Sequence, residues 1–250
     1  KQNMTKTALI TSSAKRVGKH LAETLAKKGY NIAISYNNSK IEALELKEYL
    51  TANFKIEVAI YHCDLSDIEN TKALADSVIE KFGSSWSVLI NNGSTFNKSK
   101  FLDDFESEAY YNFNVHLFSA MVLARRFIKN AEKYKMKEVD IINMIDVNIF
   151  HNQTSHFYYL LSKKSLAEFT RMLALEVSPI ARVNGISPGF IFNLEGNDKN
   201  EESSPFVVNK ILVKNKNQIQ NICQTLGFLL DNKAITGQII AVDSGEGVNF

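Results

Sequence analysis

The stretch Thr7-Ala8-Leu9-Ile10-Thr11-Ser12-Ser13-Ala14-Lys15-Arg16-Val17-Gly18 decides the fold. It opens on a short apolar run of the length and composition of a buried strand. Small and basic residues follow. Val17, Leu21 and Leu25 then recur every four residues, and Lys27-Lys28-Gly29 closes the segment. That is the pattern of an amphipathic helix with basic residues in its last turn and a glycine just beyond. Strand, tight turn and helix in that order begin a βαβ unit.

Outward from this unit the same rhythm repeats. Residues 31–36, 57–61, 88–90, 139–144, 182–186 and 238–242 read as further strands. Residues 41–50, 67–82, 106–134, 158–177 and 217–230 read as helices between them. Right-handed crossovers at this spacing give a parallel sheet with helices on both faces. The expectation is therefore a Rossmann-like, doubly wound α/β fold with seven parallel strands, as a single domain over residues 1–250. A polar stretch at 193–205, rich in Asn, Glu, Asp and Ser, reads as a lid within a substrate loop at about 190–212.

Composition narrows the function. The chain has 250 residues, 45% of them hydrophobic and 22% charged, with a net charge of +2. These are ordinary values for a globular domain, and the charge is too small to argue for nucleic acid or a membrane surface. No apolar run approaches the roughly 20 residues of a membrane helix. Ala8-Leu9-Ile10 is too short for a signal-peptide core. A cytoplasmic location is expected. Cys63 and Cys223 stand far apart, which forms neither a disulfide framework nor a metal-ligand cluster, so no metal is expected.

Doubly wound sheets bind ligands beyond the carboxyl ends of their strands. In the first turn Thr11, Ser13, Lys15, Arg16 and Val17 precede Gly18, and the helix beyond offers backbone donors and a dipole to a phosphate. The second strand ends in Tyr36-Asn37-Asn38-Ser39-Lys40 with no carboxylate before Glu42. An NAD site places an acid there for the ribose 2′-hydroxyl. Asn38, Ser39 and Lys40 suit a 2′-phosphate instead, so the expected cofactor is NADPH/NADP+. Ser39 is equally suited to cap the next helix. Asp64-Leu65 after the third strand either faces an adenine edge or caps a turn. Asn91-Asn92-Gly93-Ser94 after the fourth suits close approach to a ribose.

Tyr159 and Lys163 stand four residues apart in a helical stretch. Positions i and i+4 share a face, so phenol and ammonium can meet. A nearby cation lowers a phenol pKa from about 10, which makes Tyr159 a proton donor.

Together these motifs resemble the short-chain dehydrogenase/reductase family over nearly the whole chain. The matching pieces, in order, are the Thr11 to Gly18 turn, Asp64-Leu65, Asn91-Asn92-Gly93, Asn114 and Tyr159 with Lys163. Arg182-Val183-Asn184-Gly185-Ile186-Ser187-Pro188-Gly189, Ile235-Thr236-Gly237-Gln238 and Val242-Asp243 complete the set. The resemblance implies catalytic roles for Tyr159, Lys163 and Asn114, with Asn114 holding a helix kink or a water. It adds Pro188 and Gly189 to the cofactor site, and it implies a homotetramer.

Three features resemble the pteridine reductases and the related dihydromonapterin and dihydrofolate reductases in particular. Lys15-Arg16 occupies the glycine turn. Ser94-Thr95-Phe96 follows Gly93. Asp146 stands where most of the family has a catalytic serine. A pterin-like substrate held by Arg16, Ser94, Phe96, Asp146 and Tyr159 is the implication. A carbonyl reductase such as a 3-oxoacyl-carrier-protein reductase, or a non-catalytic nucleotide-binding protein, stays open. Ser12 and Ser244 depart from the family by replacing glycines, a strain if either needs positive φ.

Overall fold

β1 (Thr7–Ile10) is buried at all four positions, as an apolar run between two layers of helices must be. In the computed structural model, which describes residues 5–191, 211–214 and 218–249, β1 pairs in parallel with β2 (Asn31–Tyr36) on one side and β4 (Trp86–Asn91) on the other. β3 (Val58–His62), β5 (Val139–Met144), β6 (Ala181–Pro188) and β7 (Ile239–Val242) extend the sheet. The order is β3-β2-β1-β4-β5-β6-β7, every pair parallel. The strand order reverses between β1 and β4, which opens a crevice at their carboxyl ends.

Helices cover both faces. α1 (Arg16–Lys27) and α2 (Lys40–Asn53) share one core with α7 (Gln218–Asp231), through Leu21, Leu25, Leu46, Leu50, Ile222 and Leu226. α3 (Ile68–Phe82), α5 (Ser119–Lys133) and α6 (Phe157–Glu176) pack the other face around Leu74, Trp86, Leu123 and Phe127. Arg182 on β6 pairs with Asp140 on β5 at 2.5 Å and donates to the carbonyls of Leu229, Asn232 and Ile235. This fixes the C-terminal end of α7 to the sheet, where a cation also meets the negative end of the helix dipole.

The expected architecture is the observed one. β2 and β5 have the boundaries read from sequence, and the other described elements differ at their ends by a few residues. The largest difference lies before α5. The region read as one helix begins with two π-helical turns, Glu106–Tyr110 and Asn114–Phe118, around the short α4 (Tyr111–Phe113). Side chains competing for backbone carbonyls accompany them: the Asn112 amide donates to Glu108 O, and the Ser119 hydroxyl to Val115 O. The expected lid at 193–205 lies outside the described residues. Among the described residues no helix is long and apolar enough to cross a membrane.

Candidate active site

The turns after β1 and β4 lock together first. The Thr11 hydroxyl accepts the backbone N–H groups of Asn92 and Gly93, and the Asn92 amide donates to the carbonyls of Thr11 and Ser12. A Cβ on Gly18 would sit 2.6 Å from Ser13 Cα and 2.8 Å from Ser12 O, so α1 packs on this turn only with glycine there. A Cβ on Gly93 would meet Leu65 at 2.1 Å. The Ser13 hydroxyl is buried and donates to Ile10 O. Its backbone N–H is engaged too, donating to Ser35 O at 2.9 Å, so neither donor of Ser13 is left for the cofactor role expected of it.

Ser12 and Ser244 carry the strain anticipated for them, and Arg16, for which none was anticipated, shares it. Ser12, Arg16 and Ser244 have φ of 50°, 55° and 56°, a left-handed conformation that costs a non-glycine residue about 1–2 kcal/mol. Ser12→Gly and Ser244→Gly are each expected to stabilise the chain by about 1 kcal/mol, part of the relief being offset by the freer unfolded chain. Thermal unfolding followed by circular dichroism should show Tm rising by about 2–4 °C per kcal/mol. A fall in Tm in both variants would contradict the strain.

The cofactor end is suited to an anion. α1 begins without a side-chain cap hydrogen bond from Lys15 and without an acidic residue in its first turn, and a helix N-terminus of this kind favours an anion. Lys15 lies 3.7 Å from Glu42. At the end of β2, Tyr36 sets its ring against His62, Asn38 is exposed, and Ser39 begins α2 without a side-chain cap bond. Asp64 accepts from the backbone and hydroxyl of Ser66, the turn-capping geometry. At the end of β6, the buried Ser187 hydroxyl next to Pro188-Gly189 has no hydrogen-bond partner among the described residues. A dinucleotide with a carboxamide fits this donor set.

The chemistry-bearing groups converge beyond β4 and β5. Tyr159 and Lys163 lie on the first turns of α6 and are 3% and 2% exposed. The Tyr159 hydroxyl donates to Asp146 Oδ2 at 2.5 Å. Asp146 is oriented by the backbone and side-chain N–H groups of Asn148. Phe96 sets its ring against Tyr159 at 4.9 Å, nearly perpendicular, and stacks on His156 at 4.2 Å and 15°. Asn114 donates to Ser66 O from the start of the second π-turn; π-turns recur at functional sites.

One expectation is corrected. Lys163 does not meet the phenol; its Nζ donates to Met144 O at 2.9 Å. A buried ammonium must satisfy its protons, and the β5 carbonyl lies in reach. The phenol is not shifted down. Burial, then the charge and hydrogen bond of Asp146, hold Tyr159 well above its ordinary value. Burial pushes Lys163 down to about 8, against the opposing pull of Asp146.

His116 is a site residue that the sequence reading passed over. It lies buried two residues after Asn114, edge-on to Tyr159 at 5.3 Å. A lone histidine in an apolar helical stretch gives no motif. The only available signal was its register on the helix that carries Asn114.

The chain as a whole is similar to known proteins. The family described as enoyl-(acyl carrier protein) reductase matches residues 12–246, and the chain belongs to that branch of the short-chain dehydrogenase/reductases. It is thus an oxidoreductase that works with a nicotinamide cofactor. The chain is 28% identical to the uncharacterized oxidoreductase YmfI of Bacillus subtilis, over 97% of this chain and 99% of that protein. It is 27% identical to the 3-oxoacyl-[acyl-carrier-protein] reductase FabG of Staphylococcus aureus, over 97% and 98%. Among solved structures, FolM alternative dihydrofolate reductase 1 from Brucella suis, in complex with NADP, superposes with a TM-score of 0.86 at 26% identity, over 98% of this chain and 96% of that one.

Proposed function

We propose that the chain is an NADPH-dependent reductase of a pterin-type substrate, such as a dihydropterin, dihydromonapterin or dihydrofolate. The observation that carries this is the Asp146–Tyr159 hydrogen bond, with the Phe96 ring beside it. The likeness to the NADP-bound FolM structure supports it. So does the second strand end, where Asn38, Ser39 and Lys40 stand in place of an acid.

The cofactor, when bound, supplies hydride. The chain's residues supply position and the proton. Asp146 accepts N–H donors of an aminopyrimidine edge, which a serine hydroxyl would do less well. The phenol released from Asp146 turns to the ring nitrogen beside the carbon being reduced and delivers its proton there. Phe96, braced by His156, covers a face of the substrate ring. Arg16 and the uncapped α1 terminus hold phosphate, and Ser94 closes the site beside Tyr159. Exposed Phe118, Met121, Met172 and Leu175 on the helices of one face would form the contacts of a homo-oligomer, which sedimentation against the 28.2 kDa chain mass tests.

Reduction of a carbonyl on an acyl thioester is the second reading, favoured by the likeness to FabG. NADPH oxidation with dihydrobiopterin, dihydromonapterin, dihydrofolate and an acetoacetyl thioester separates the two. The expected result is a higher kcat/KM for a pterin, with Phe96→Ala raising the pterin KM by about fivefold through a lost stacking contact of ~1 kcal/mol. Turnover of the thioester alone would overturn the pterin assignment.

A further inference from the structure

His116 makes a continuous set of hydrogen bonds that the scheme above leaves unused. Its Nδ1 lies 2.8 Å from the Ser162 hydroxyl, and that hydroxyl already donates its one proton to the carbonyl of Tyr159 at 2.7 Å. Nδ1 must therefore be the donor. At the other edge of the ring, the Thr95 backbone N–H donates to Nε2 at 3.1 Å, so Nε2 carries no proton. The two edges fix the same neutral tautomer. Burial, then the charge of Lys163, holds the imidazole well below its ordinary pKa, consistent with a ring that stays neutral.

The Ser94 hydroxyl lies 3.2 Å from that bare Nε2. Its other acceptor, Thr95 O, is farther at 3.3 Å. The same hydroxyl is near enough to the Tyr159 phenol to act against burial and Asp146 and lower its pKa. Ser94 thus sits between two acceptors whose strength changes during turnover. While Tyr159 is protonated and bonded to Asp146, the Ser94 proton is shared between Thr95 O and His116 Nε2, which also accepts the Thr95 N–H. Once the phenol proton has moved to the substrate, the phenolate is the stronger acceptor.

We propose that His116 is a positioning residue for proton delivery: its unprotonated Nε2 holds the Ser94 hydroxyl beside Tyr159 and releases that hydrogen bond to the phenolate formed when the proton leaves. No covalent bond to Ser94 or His116 changes; one hydrogen bond changes acceptor. The inference rests on Tyr159 as proton donor and is independent of whether the substrate is a pterin or a thioester. The groups facing the phenol are Asp146 from the β5 end, His156 at the start of its own helix and His116 from the π-turn, while Lys163 on that helix turns to Met144 O.

The test is the pH profile of kcat in His116→Asn, His116→Gln, Ser94→Ala and the Ser94→Ala/His116→Asn pair, using whichever of the four substrates above turns over fastest. Asparagine keeps a donor for Ser162 and loses the Nε2 acceptor. Glutamine can return an acceptor to the Nε2 position. The expected result is a fall in kcat of about tenfold in His116→Asn, equal to one pKa unit on the phenol. Partial rescue is expected in His116→Gln, with NADPH binding followed by cofactor fluorescence unchanged. Ser94→Ala should give the same loss, and the double variant no more than either single, because the two residues act as one unit.

Additive losses, or a wild-type profile in His116→Asn, would overturn the inference. If His116→Asn does not fold, the Ser94→Ala/His116→Gln pair decides in the same way, additivity again being the adverse result. Full activity in Tyr159→Phe would overturn the proton-donor assignment and this inference with it. Loss there beside an unmoved His116 profile overturns this inference alone.

Discussion

Tyr159→Phe is expected to lower kcat by about 10²- to 10⁴-fold, the range of a lost general acid, while NADPH binding stays essentially intact. The phenol carries its proton at the site on a carboxylate, Asp146 Oδ2, and not on a backbone acceptor. Phenylalanine keeps the ring that packs between Phe96 and His116, so the cavity and the α6 backbone are preserved. A loss confined to kcat marks an interaction used in the transition state. Single-turnover NADPH oxidation in a stopped-flow instrument, with a parallel fluorescence titration of NADPH, separates the chemical step from binding. A variant with weakened NADPH binding and unchanged single-turnover rate would assign Tyr159 to the cofactor site instead.

The parts of this site that sequence reveals are those written as periodicity or local order. Alternation of apolar runs with amphipathic segments placed β2 and β5 to the residue, because buried parallel strands read as unbroken apolar stretches. Asp146 was legible through the family resemblance, as the residue standing where most of the family has a catalytic serine, and it lies two residues past β5, at the carboxyl end where ligands bind. The partner of Lys163 was not. A spacing of four residues puts two side chains on one helix face, but it says nothing about acceptors on a neighbouring strand, and Met144 O on β5 takes the ammonium. The sign of the Tyr159 shift followed the same course. Burial and Asp146 act through tertiary contacts, which the i, i+4 rule does not contain. His116 was invisible for a related reason: its partners Thr95 and Ser162 lie 21 and 46 residues away.

In the proposed mechanism Asp146 decides what receives the proton, and two substitutions should divide its roles. Asp146→Asn keeps the shape and removes the charge. That charge raises both Tyr159 and Lys163, so both pKa values fall in the variant. The sign follows directly. In the wild type Lys163 loses its proton near pH 8, and kcat/KM, which reports the free enzyme, falls above that pH. In Asp146→Asn the same limb moves to lower pH, and the optimum becomes more acidic. Asp146→Ser supplies the hydroxyl that most of the family carries. It is expected to lower pterin kcat/KM by about 10²-fold, as for one lost charge-assisted contact of ~3 kcal/mol, and to spare or raise turnover of the acetoacetyl thioester. The ratio of the two kcat/KM values therefore inverts between the wild type and the Asp146→Ser variant if the carboxylate selects a nitrogen-rich ring over a carbonyl oxygen. Equal losses on both substrates would show instead that Asp146 serves only to orient Tyr159, since a purely orienting group cannot distinguish one proton acceptor from another.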